Sequence, residues 1–67
     1  MILKEVLERS TQHFKKLGFS SPRLDSELLL SQALGYKRIE LYTHFDQIMT
    51  EEELSSCRAL VARRSKG

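Results

Sequence analysis

The chain's reactive groups are few: two histidines, one cysteine and a scatter of carboxylates and hydroxyls. His13 and His44 belong to the one residue type whose unperturbed side chain changes charge near neutrality. His13 borders an apolar stripe at helical spacing, so it reads as a half-buried packing residue. His44 precedes Asp46 by one intervening position, and Cys57 brings the potential metal ligands to three. They fall on separate elements, without the close ligand spacing of a structural zinc site. Cys57 lies inside an apolar arc, where a thiol behaves as a small inert hydrophobe. No serine sits on a strand-turn-helix elbow that would activate it. Asp25 and Glu27 stand two apart on a helix and therefore point in different directions, which does not make an acid–base pair. The run Arg63-Arg64-Ser65-Lys66 complements the negative end of a helix. Catalysis confined to these residues is not expected.

The elements that carry these groups are delimited by clear punctuation: Gly18 to Pro22, Gly35, and Asp46 to Thr50. Between these marks the apolar period is helical. Leu3, Leu7, Ser10, Phe14 and Leu17 follow 4-3-4-3 spacing, with Val6 widening the stripe and Ser10 its polar interruption. This predicts a helix over about 2–17, stopped by a left-handed cap at Gly18. Ser21-Pro22 supplies a capping hydroxyl followed by proline at the first helical position. The second helix then covers 22–34, with Gly35 as its stop. Its leucines fall on several sides, which predicts a central helix with several neighbours. Residues 37–45 fit both alternation and a helical face. A strand there would lack a pairing partner, so a short helix is predicted. Thr50-Glu51-Glu52-Glu53 is a capping box, and Met49 with Leu54 forms a hydrophobic staple, opening a helix over 51–64. The expected fold is thus all-α, a small bundle of four helices around the second.

Sixty-seven residues make one domain, with 40% hydrophobic and 30% charged residues, a globular composition. A net charge of +2 is too small to advertise a polyanionic partner. The three glycines, Gly18, Gly35 and Gly67, lie too far apart for a phosphate-cradling loop. No apolar run is long enough for a membrane span, and the first residues form neither a signal nor a transit peptide. A single cysteine makes no internal disulfide, so a reducing, cytoplasmic location is expected.

A rival reading rests on Ser31, Gly35 and Leu41, which have helix-turn-helix spacing, with 37–45 as a DNA-recognition helix. That helix carries Glu40 and two cations, Lys37 and Arg38, which is little for phosphate neutralisation.

The order of these signals points further. Ser21-Pro22-Arg23-Leu24-Asp25-Ser26-Glu27-Leu28-Leu29-Leu30 is followed by Ala33-Leu34-Gly35. Next come Glu40-Leu41-Tyr42, Phe45-Asp46, Thr50-Glu51-Glu52-Glu53-Leu54 and Arg63-Arg64. From Leu3 to Gly67 the pattern resembles the N-terminal domain of the PrmC/HemK family, the protein-(glutamine-N5) methyltransferases of peptide-chain release factors.

That resemblance implies a helical recognition domain, residues 1–67, excised from a larger enzyme. In the family a β-hairpin linker and a Rossmann-like catalytic domain follow it. The catalytic domain binds S-adenosylmethionine and methylates the glutamine of the Gly-Gly-Gln motif in class 1 release factors. The implied partners are those release factors and the catalytic domain of the same parent chain. Neither nucleic acid nor membrane is expected. No catalytic, cofactor or metal residue is carried over. The family's Asn-Pro-Pro-Tyr motif and glycine-rich cofactor loop are missing, since the chain has no Asn and one Pro, Pro22. Ser26 stands where the family often has alanine. Lys37 replaces the small polar residue that opens the third helix, weakening that cap. Lys37, Arg38 and Tyr42 are the candidate partner-binding residues. Arg63 and Arg64 are the candidate contacts to the catalytic domain.

Overall fold

The computed structural model describes residues 1–66, which form α1 (Leu3–Lys16), α2 (Pro22–Leu34), α3 (Arg38–Thr43) and α4 (Glu51–Ser65). The all-α bundle expected from the periodicity is present, and α2 is the element on which each of the other three packs.

The helix ends show why the boundaries fall where they do. Ile2, at the start of α1, has no side-chain acceptor. Its own N–H donates to Glu5 Oε1 at 3.2 Å, while the orphan N–H groups of Leu3 and Lys4 donate to the carbonyls of Gln47 and Phe45 at 2.9 and 3.1 Å. Met49 N–H donates to Met1 O at 2.8 Å, and an antiparallel bridge joins Ile2 to Ile48. The loop before α4 is therefore fastened to the N-terminus of α1. This also shortens the third helix from the expected 37–45 to 38–43. Carbonyls 45 and 47 cap α1 instead of serving a helix of their own. Thr50 caps α4 as its sequence predicts, accepting from Glu53 N–H at 3.1 Å while Glu53 Oε1 accepts from Thr50 N–H at 2.8 Å. Ser21 makes no side-chain cap bond, contrary to the expectation, and Pro22 alone marks the start of α2. Gly35 closes α2 at φ 72°, its N–H donating to Ser31 O.

The core joins Leu3, Val6 and Leu7 of α1, Leu30 of α2, Leu41 of α3, Met49 and Cys57. Phe14 is fully buried beneath Phe19, their rings stacked at 4.8 Å. Three side chains depart from the apolar stripes. Leu17 lies past the end of α1 and is exposed. Leu24 and Leu28 are 40% and 49% exposed, whereas Ser26 and Glu27 beside them are buried. The second helix does have neighbours on several sides, but on one of them the contact is polar. Ser26 resolves its own burial locally, donating from Oγ to Pro22 O at 2.9 Å.

Candidate functional site: a buried carboxylate between the second and third helices

Glu27 projects from the middle of α2 and is only 2% exposed. An isolated carboxylate so placed would be costly, and four donated hydrogen bonds compensate it. Arg23, one turn earlier, donates from Nε to Oε2 at 3.1 Å. Arg38, at the start of α3, donates from Nε and Nη2 to Oε1 at 3.2 and 2.8 Å. Tyr42, one turn further along α3, donates its hydroxyl to Oε2 at 2.5 Å. Burial pushes the Glu27 carboxyl up, but the bonds from Tyr42, Arg38 and Arg23 outweigh it and hold the group below its ordinary value. The hydrogen bond to Glu27 moves the Tyr42 hydroxyl the other way, above the usual phenol range. The carboxylate is thus ionised at neutrality and acts as a clamp, fixing the six-residue α3 against α2.

Around this clamp α3 presents a firm outer edge. Ile39 is 74% exposed and Tyr42 half exposed, with the Tyr42 ring edge-on to Phe45 at 5.1 Å between centroids. Lys37 precedes them with extended backbone; its N–H donates to Glu40 Oε1 at 2.8 Å. A lysine side chain offers no acceptor, so the reciprocal half of the capping box is missing. Behind α3, Tyr36 stacks on His44 at 4.5 Å and donates its hydroxyl to Gln47 Oε1 at 2.8 Å, tying down the turn.

Of the sequence-derived site residues, Arg38 and Tyr42 come together on Glu27, and Lys37 stands beside them in solvent. Arg63 and Arg64 lie elsewhere, along the junction of α2 and α4. Arg64 Nη2 donates to Asp25 Oδ1 at 2.5 Å, whereas Arg63 is exposed on the wall of a shallow concavity with Leu28 and Leu60. Asp25 and Glu27 do serve opposite neighbours, as their spacing predicts. Glu27 itself, and Arg23, were missed by sequence reasoning. Two signals pointed to them: an arginine and a glutamate four apart, and a carboxylate set inside a leucine run.

The other reactive groups form no site of their own. His13 is exposed, not half-buried as expected, and its Nε2 lies 2.9 Å from Ser65 Oγ. Burial, with Glu53 adding to it, pushes the Cys57 thiol up to about 11, so it is protonated at neutrality and a poor nucleophile. Among the described residues no group of three or more His, Cys, Asp or Glu could hold a metal ion, and no helix is long and apolar enough to cross a membrane. Gly18 and Gly35 each end a helix in its own turn, with left-handed backbone at φ 83° and 72°.

Fold and clamp together define a class: a small all-α module that holds a short third helix rigidly on a central one. Comparison with known proteins then assigns the family. Residues 5–67 match the family model described as the PrmC N-terminal domain, and the chain belongs to that family. It is 52% identical over 62 residues to a release factor glutamine methyltransferase of Rhodopirellula baltica, covering 92% of this chain and 21% of the relative. It is 44% identical over 64 residues to one of Geobacter sulfurreducens, covering 96% and 22%. A bifunctional methyltransferase of Rickettsia conorii is 30% identical over 64 residues, covering 96% of this chain and 12% of that protein. The chain therefore spans about a fifth of the length of the first two relatives. No solved structure matches.

Proposed function

We propose that this domain is the non-catalytic recognition module of a release factor glutamine methyltransferase. It positions class 1 peptide-chain release factors so that a catalytic domain of the same cytoplasmic polypeptide methylates the glutamine of their Gly-Gly-Gln motif. S-adenosylmethionine supplies the methyl group in that domain. The observation that carries the reading is the family match over residues 5–67, joined to relatives named for this activity.

The physical support lies in the clamp. A docking module raises the rate by converting binding energy into orientation of the reacting amide, and a mobile docking helix would lose that energy to its own ordering. With Glu27 fixing Arg38 and Tyr42, α3 offers Lys37, Ile39 and the Tyr42 ring as a preformed edge. Arg63 and Arg64, on α4, are the proposed side facing the catalytic domain.

The test is steady-state methylation of a release factor by the full-length polypeptide. Replacing Lys37 and Ile39 together (K37E/I39D) raises KM about tenfold or more with kcat little changed, the signature of lost docking. Unaltered kcat/KM after this replacement, in a variant with the native melting profile, overturns the role of this edge. Micromolar binding of S-adenosylmethionine to the 67-residue chain would overturn the non-catalytic assignment.

A further inference from the structure

We infer that the trough between α1 and α4 is a second docking surface, built to take an acidic, apolar segment of the protein substrate; this rests on the recognition role proposed above. The two helices start together at the Ile2–Ile48 bridge and end together where His13 meets Ser65. Each packs on α2 more extensively than on the other, and this leaves an open trough of about 520 Å³ between them. Val6, Ser10 and His13 line it from α1, and Leu54, Cys57 and Val61 from α4. On α4 the lining recurs at three- and four-residue intervals from Leu54 to Ser65, a whole helix face roughly 16 Å long at 1.5 Å per residue. That length accommodates two to three turns of a helix or about five extended residues.

Two observations say what fits. First, α4 is 15 residues long, yet Cys57 is its one buried residue; Leu54 and Val61 remain partly open above it. An apolar helix face left this bare favours an apolar occupant. Second, the lining is cationic and includes no carboxylate, although Glu53 stands within electrostatic reach of Cys57 on its floor. Arg9 and Arg58 stand on opposite sides, both exposed and neither in an ion pair among the described residues; carboxylates line the neighbouring concavities instead, Asp25 one of them and Glu8 the other, which shares Arg9. Solvated rim cations beside an apolar floor suit a partner that arrives and leaves, drawn in by opposite charge. This favours the substrate over a permanently packed part of the same polypeptide.

The experiment uses the full-length polypeptide and a release factor, with affinity followed by fluorescence anisotropy from low to high salt. The variant R9E/R58E reverses the rim. K4E/K15E makes the same charge change on the opposite side of α1, judged from 100° per residue. Both variants should keep the native melting profile, because these side chains are exposed. The rim variant binds about tenfold or more weakly at low salt, with the difference shrinking as salt rises, and the control does not. A photo-crosslinking amino acid in place of Ala62, on the trough wall, then captures a release-factor peptide containing Asp or Glu next to apolar residues. Equal affinity of the rim variant and the native protein overturns the inference, as does a crosslink to the same polypeptide or to a second copy. In those cases release-factor binding persists and the recognition role stands. Loss of the role itself has a different signature: the native protein fails to bind the release factor at any salt concentration.

Discussion

Replacing Glu27 by glutamine tests whether the buried carboxylate holds α3 in place. The substitution keeps the size and shape of the side chain but removes its charge, and it turns one acceptor oxygen into a donor. Oε1 receives two N–H groups of Arg38, and Oε2 receives Arg23 and Tyr42. Whichever way the amide turns, a donor therefore faces donors. Hydrogen bonds to charged groups contribute about 1.5–3 kcal/mol each when buried. Here the guanidinium side chains of Arg23 and Arg38 are 48% and 49% exposed and regain water when released, so their share falls toward the surface value. The expected net loss is about 2 kcal/mol at neutral pH. For a domain of this size that corresponds to a fall in Tm of about 8–16 °C. Urea unfolding followed by circular dichroism measures it, with the slope unchanged if the native fold persists.

The same variant carries a pH signature. The folded-state pKa of Glu27 lies below the ordinary value of 4.5, so its contribution is complete above 4.5 and is lost as pH falls through the lower folded value. The native protein should therefore lose stability in acid faster than Glu27→Gln, and the gap between them should close below pH 4.5. A Glu27→Gln protein as stable as the native one at pH 7, or a gap constant from pH 7 to 3, would refute the clamp.

Three further outcomes follow from the helix ends and the buried thiol. Thr50→Ala removes the acceptor for Glu53 N–H and should cost about 1 kcal/mol in the same urea titration, with Thr50→Ser close to native. Gly35→Ala meets no atom within 4 Å, so its cost of about 1 kcal/mol is purely that of placing a Cβ at φ 72°; Gly35→Asn should recover part of it. Cys57, buried and with its thiol pushed up to about 11, should resist iodoacetamide at pH 7.5 in the native protein. It should react readily in 6 M urea, and mass spectrometry reads both states.

What the chain reveals about itself follows distance along the sequence. The Thr50 capping box, the Met49–Leu54 staple and the Gly35 stop operate within one or two turns, and the 4-3-4-3 stripe of α1 within one helix, so residue identity and spacing suffice to read them. The third helix was harder, because its C-terminal end depends on α1 taking the carbonyls of residues 45 and 47, some forty positions away. His13 shows the same limit from the other side. Its place beside the stripe suggested packing, but the gap between α1 and α4 leaves it in solvent against Ser65.

Glu27 marks the boundary most clearly. Its place on α2, pointing away from Asp25, is a matter of helical geometry and was legible. Its burial was not, because its partners Arg38 and Tyr42 lie 11 and 15 residues on and reach it only when α3 folds back across α2. Local free energies of capping and periodicity are written in short stretches of residues and survive in the isolated sequence. The desolvation of a carboxylate, and the donors that compensate it, exist only once distant segments meet, so only the packed chain decides which charge becomes the clamp.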